Sequence, residues 1–133
     1  MLIGGCLCGA VRYSADAPIY PPTLCHCKSC RRASGAHAVG WYTVPPSGLR
    51  YLAATPVERE SSPGVFRAYC PGCFSPLTYR NVQRANEIDV TIASLDDPAE
   101  APPADHIYMS DSAGWDSPAD GLPQHRGTRP PNG

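Results

Sequence analysis

Seven cysteines in a chain of 133 residues fall into three tight groups. Cys6 and Cys8 form C-x-C, Cys25, Cys27 and Cys30 form C-x-C-x-x-C, and Cys70 and Cys73 form C-x-x-C. A knuckle turn brings the sulfurs of residues i and i+2 or i+3 onto one ion, so this spacing predicts metal ligation. Disulfides are the alternative. An odd count, the lack of an export signal and the strain of a C-x-C bridge all oppose them. Redox chemistry of a C-x-x-C pair is a further alternative. Tetrahedral thiolate coordination selects zinc over magnesium or calcium, with an iron–sulfur cluster as the competitor.

Two knuckles complete one four-coordinate site, which leaves three thiolates over. The simplest division joins Cys6 and Cys8 to Cys70 and Cys73 and keeps Cys25, Cys27 and Cys30 together. A rival division joins Cys27 and Cys30 to Cys70 and Cys73 as a zinc ribbon, but it orphans the first C-x-C pair. Four thiolates make a closed, structural site. Three leave a position for water or a substrate atom, the arrangement of catalytic zinc. In an extended segment Cys25 and Cys27 point to one face and His26 to the other, which makes His26 a neighbour, not a ligand. Lys28, Arg31 and Arg32 either offset the thiolate charge or form a solvated basic turn. His37, Trp41, Tyr42, His106 and Trp115 are candidates to line the pocket.

The elements that position these residues are short. Sixteen prolines and twelve glycines break long helices and favour strands joined by turns. Strands are expected over residues 9–13, 23–27, 38–44, 49–52, 57–61, 65–69 and 106–109, with one helical turn or knuckle over 28–35. The clearest period-two pattern runs over 87–93, with Ile88, Val90 and Ile92 on one face. Such spacing predicts antiparallel sheets, not βαβ units. One domain over residues 1–126 and a disordered Pro/Gly-rich tail over 127–133 complete the reading.

Net charge is −1, with 11 Lys and Arg against 12 Asp and Glu. Arg67, Arg80 and Arg84 look like ordinary surface. No basic stripe interleaved with aromatics points to nucleic acid, and no apolar run is long enough to span a membrane. The first residues carry no charged start and no apolar h-region, so the expected compartment is a reducing cytoplasm. Oligomeric state is not readable from these residues.

The run Gly5-Cys6-Leu7-Cys8-Gly9-Ala10-Val11-Arg12-Tyr13 and the run Cys25-His26-Cys27-Lys28-Ser29-Cys30-Arg31 together resemble the glutathione-dependent formaldehyde-activating enzyme family, whose domain centromere protein V also carries. So do Ser61-Ser62-Pro63-Gly64, Tyr69-Cys70-Pro71-Gly72-Cys73, Ala93-Ser94-Leu95-Asp96-Asp97-Pro98, His106-Ile107-Tyr108, Trp115 and Asp120-Gly121-Leu122-Pro123. The resemblance implies a mainly β, Mss4-like fold of short, twisted antiparallel sheets with zinc knuckles. It implies two zinc ions per chain, with Cys6, Cys8, Cys70 and Cys73 structural and Cys25, Cys27 and Cys30 at the reactive site. It also implies a carbon–sulfur lyase acting on a small thiol adduct such as S-(hydroxymethyl)glutathione. A non-catalytic zinc-stabilised binding module and a redox-sensitive zinc protein are the alternatives. Two positions depart from the family pattern. Phe74 stands where glycine is usual, which implies a different turn or a strained backbone. Residues 110–115 lack the basic residue common before the tryptophan, which removes a cation expected to meet glutathione.

Overall fold

The computed structural model describes residues 1–131. Ten strands, one short α-helix and five 3-10 turns make up these residues. Among the described residues no helix is long and apolar enough to cross a membrane. A small sheet contains β1 (Leu2–Gly5), β2 (Arg12–Ala15) and β5 (Leu49–Tyr51), with β2 in the middle. A seven-stranded sheet runs in the order β10 (Asp105–Ile107), β3 (Thr23–Cys25), β4 (Val39–Val44), β9 (Ile88–Thr91), β8 (Pro76–Asn81), β7 (Val65–Tyr69), β6 (Val57–Ser62). This is the mainly β arrangement of short strands that the proline and glycine content predicts and the family resemblance implies.

Pairing is antiparallel except at one edge, where β10 lies parallel to β3. The expected antiparallel sheets are present, with this single parallel pair at the edge. A proline-rich stretch after β9 carries the chain across the sheet to its far edge, and a crossover of that kind permits parallel entry.

The main core lies between the two sheets. Tyr42, Val44 and Val90 from the large sheet, with Ile92 beyond β9, pack against Leu2, Tyr13 and Ala15 of the small one. Burying two phenols requires partners for their hydroxyls. Tyr42 donates to Tyr13 at 3.2 Å, and Tyr13 shares a 2.7 Å bond with Ser94. Gly4 faces this network. A Cβ there would meet the Ser94 carbonyl at 2.4 Å, so only glycine fits. Pro63 and Gly64 turn β6 into β7, with Gly64 at φ +75°.

The period-two signal over 87–93 is a real strand, but it ends at Thr91, and Ile92–Ser94 tightens into a 3-10 turn. Two strands, β1 and β8, carried no readable signal. In β8 the side chains of Leu77 and Thr78 point to opposite faces and both are buried, so no alternation marks it. Its Pro76 is tolerated as the first residue of the strand. The single helix, α1 (Lys28–Ser34), replaces the expected turn or knuckle and ends at Gly35 in the left-handed region.

Composition alone predicts a loose tail from Gly127, and its described part differs. The Gly127 carbonyl accepts from Tyr108 N at 2.8 Å, and Arg129 forks onto the buried Asp105 carboxylate at 2.6 and 2.9 Å. The Arg129 ion pair and this backbone bond hold a segment that has almost no apolar side chains. Residues 132 and 133 lie outside the described residues.

Candidate metal centres

Two cysteine groups assemble. Cys6 follows β1, and its loop folds back so that Cys6 N donates to the Val11 carbonyl and Val11 N donates to Cys6 Sγ at 3.3 Å. Cys70 follows β7, and its turn mirrors this: Phe74 N donates to the Cys70 carbonyl and Gly72 N donates to Cys70 Sγ at 3.4 Å. Ser75 ties the two knuckles together, since its hydroxyl accepts from Leu7 N at 2.9 Å and lies 3.1 Å from Cys73 Sγ. That hydroxyl, with the Ser75 N–H, draws the Cys73 thiol down to about 5.

The sulfurs of Cys6, Cys8, Cys70 and Cys73 all lie within 4.8 Å of one another, with 3.6 Å between Cys6 and Cys8 and 3.8 Å between Cys8 and Cys70. A tetrahedron of sulfurs about 2.3 Å from a central ion has edges of about 3.8 Å. A disulfide needs about 2.05 Å. The spacing therefore fits a tetrahedral ion, and all seven cysteines are free thiols.

The second group is local. Cys25 ends β3, Cys27 caps α1 by accepting from Cys30 N at 3.3 Å, and Cys30 sits in the helix's first turn. Their sulfurs also lie within 4.8 Å of one another. Among the described residues no further His, Cys, Asp or Glu joins them. Hydrogen bonds from Cys25 and Cys30 hold the Cys27 thiol well below its ordinary value. The bond with Cys27 pushes Cys25 up. Cys30 is lowered by Cys25, but Cys27 and burial outweigh that and raise it. Without a cation the three sulfurs thus share one negative charge. A dication is what lets all three ionise, so this donor set fits a soft divalent metal. The ribbon division of Cys27 and Cys30 with Cys70 and Cys73 is not the one formed.

His26 turns away from the cluster, as alternation predicts. It is 1% exposed, and its Nε2 meets His106 Nδ1 at 2.9 Å. His106 Nε2 donates to the Asp120 carboxylate at 2.7 Å, which leaves His106 Nδ1 to accept from His26. The remaining His26 Nδ1 is 3.3 Å from Asp116 Oδ2 without hydrogen-bond geometry. Burial lowers the His26 pKa and favours the neutral ring.

The three sulfurs open onto a cavity of about 750 Å³. Trp41, Tyr79 and Tyr108 give it aromatic walls. Tyr108 stands at φ 56°, a left-handed conformation that is rare for a bulky residue and often marks a functional site. Lys28, Arg67, Arg84 and Arg129 supply positive charge, Asp89 and Asp111 negative. Of the pocket candidates named from sequence, only Trp41 lines this cavity. Tyr42 is core, and His106 supports His26 from behind. His37 pairs with Asp116 at 2.7 Å and lies tilted against Trp115 outside the cavity. Lys28 reaches the cavity, whereas Arg31 and Arg32 do not line it.

Sequence reasoning took Arg67 and Arg84 for surface and left Tyr79 and Tyr108 unremarked. Their convergence depends on strand register, which spacing alone does not reveal. Arg80 is indeed on the surface, forked onto Glu58 and lying over Phe66.

A model of the glutathione-dependent formaldehyde-activating enzyme family matches residues 1–111. The chain belongs to this family. A Halomonas elongata protein provisionally assigned the same name is 26% identical over 128 residues, which cover 86% of this chain and 79% of that protein. A crystal structure of a Rhodobacter sphaeroides protein matches with a TM-score of 0.62 at 20% identity, over 93% of this chain and 99% of the other. At that identity the likeness speaks for the fold. The match to the glutathione-dependent formaldehyde-activating enzyme family takes in all seven cysteines but ends before Trp115 and Asp120.

Proposed function

We propose that this chain is a zinc-dependent carbon–sulfur lyase acting on a thiol adduct such as S-(hydroxymethyl)glutathione. One observation carries the reading. Three sulfurs converge at the floor of a cavity of about 750 Å³, and no fourth protein ligand joins them among the described residues. Family membership and the name of the Halomonas relative support the choice of thiol and aldehyde.

In this reading Cys25, Cys27 and Cys30 hold one zinc ion and are ligands, not free nucleophiles. Cys6, Cys8, Cys70 and Cys73 hold a second that is structural. Zinc in the three-cysteine site supplies Lewis acidity and favours the deprotonated form of a bound thiol or hydroxyl. The chain's own residues do the rest. Trp41 and Tyr79 exclude water and flank the substrate. Tyr108, whose phenol is raised by burial and by the nearby thiols of Cys25 and Cys27, stays protonated and offers a hydrogen bond to the aldehyde oxygen. In the adduct-forming direction the sulfur attacks the carbonyl carbon. The thiol proton is lost, the oxygen gains one, and the reverse direction breaks the same carbon–sulfur bond.

A coupled assay with glutathione and formaldehyde tests this. Turnover above the spontaneous rate is expected for the zinc-loaded protein and is lost in Cys27→Ser. Turnover no faster than the spontaneous reaction rules out this activity.

A further inference from the structure

A row of side chains crosses the large sheet on the face that carries the cavity. Strand register pairs Thr43 with Asp89, Asp89 with Tyr79, Tyr79 with Arg67 and Arg67 with Arg59. Directly paired residues of antiparallel strands share a face. The inner part of this row is internally satisfied. Thr43 donates to Asp89 at 2.6 Å, and Arg84 also reaches Asp89. Arg84 is saturated further by Glu87 and the Tyr20 hydroxyl, and Arg129 is taken up by Asp105.

Arg67 is different. Its guanidinium lies 4.9 Å from the centre of the Tyr79 ring, and among the described residues it has no carboxylate partner. Across the ladder it faces another arginine, Arg59, a like-charge pair that costs stability. A half-buried, ring-seated arginine without an acid has a free fork of donors. That fork matches a carboxylate at two points, which the single ammonium of Lys28 on its exposed stem does not. The cavity is of a size that encloses a small organic molecule.

We propose that Arg67 reads a carboxylate on the ligand, so that the cavity takes small thiols bearing a carboxylate in preference to neutral thiols of the same size. This rests on the three-cysteine cluster being a site that accepts a thiol.

The experiment uses the full chain loaded with cobalt, titrated with 3-mercaptopropionate and with its neutral amide. The thiolate-to-cobalt charge-transfer band reports binding without any turnover. Wild type is expected to bind the acid about tenfold more tightly than the amide, the size of one charge-assisted hydrogen-bond pair. Arg67→Gln is expected to abolish that preference by weakening the acid far more than the amide. Arg67→Lys should retain part of it. Equal binding of acid and amide by wild type overturns the proposal without needing any variant to fold. So does an Arg67→Gln variant that weakens both thiols equally, because Arg67 then only offsets the charge of the cluster. If neither thiol perturbs the cobalt band, the open position itself is refuted, and the lyase reading falls together with this one.

Discussion

Phe74 sits at φ 62°, its N–H bonded to the Cys70 carbonyl and its exposed ring stacked on Tyr69. The knuckle keeps the backbone shape a glycine would take, and the phenylalanine bears the strain. Phe74→Ala and Phe74→Gly both delete the ring, but only glycine relieves the left-handed conformation. Phe74→Gly should therefore be more stable than Phe74→Ala by about 1 kcal/mol in urea unfolding. Equal midpoints would mean the turn relaxes. The cysteines of the three-cysteine cluster make a pH prediction at the same scale. Cys27 is lowered and so already ionised at neutral pH, whereas Cys25 and Cys30 are raised and still hold protons. Metal entry then releases two protons, and affinity should rise about 100-fold per pH unit around neutrality. A competition titration at several pH values checks this, and a rise of about tenfold or 1,000-fold per unit would contradict the assignment. The grouping of the cysteines is readable from spacing because each knuckle is local. Arg67 is not, because its meaning comes from Tyr79 and Arg59 on the strands beside it.

β3, α1 and β10 form the support of the three-cysteine cluster. Alternation along residues 25–27 places His26 on the face opposite the sulfurs. Nothing in the sequence says what receives it, because the His106 contact joins residues 80 apart through a parallel pairing at the sheet edge. Removing His106 strands the His26 Nε2–H in a site that is 1% exposed. His106→Ala should cost about 1–3 kcal/mol in chemical unfolding. An unchanged midpoint would show that water or a shifted ring replaces it. The terminal segment repeats this lesson. Its composition suggests a free tail, yet Arg129 spans the Asp105 carboxylate and the carbonyls of Pro21 and Pro22. Arg129→Ala should speed proteolysis after Arg126, read by mass of the fragments. Wild-type resistance in the variant would mean the backbone bonds at Tyr108 and Ser110 suffice.

Across the whole molecule the two cysteine groups are built differently. The four-cysteine site joins the start of the small sheet to a turn of the large one, closing a loop more than 60 residues long, as the 62-residue separation of Cys8 and Cys70 shows. The three-cysteine site spans one strand end and one helical turn. Cys70→Ser should therefore lose the cooperative fold, whereas Cys27→Ser should keep a native circular dichroism spectrum and lose one ion. Mainly β architecture follows legibly from prolines, glycines and short alternating runs. The order of strands does not, because it is decided by which faces meet in the core around Tyr13 and Tyr42. The most direct test is metal content and sulfur coordination of protein purified without added metal, by elemental analysis and X-ray absorption. Two zinc ions per chain sharing seven sulfur ligands is the predicted result. One ion or none, or sulfurs of the 6, 8, 70 and 73 group joined as disulfides, would contradict it.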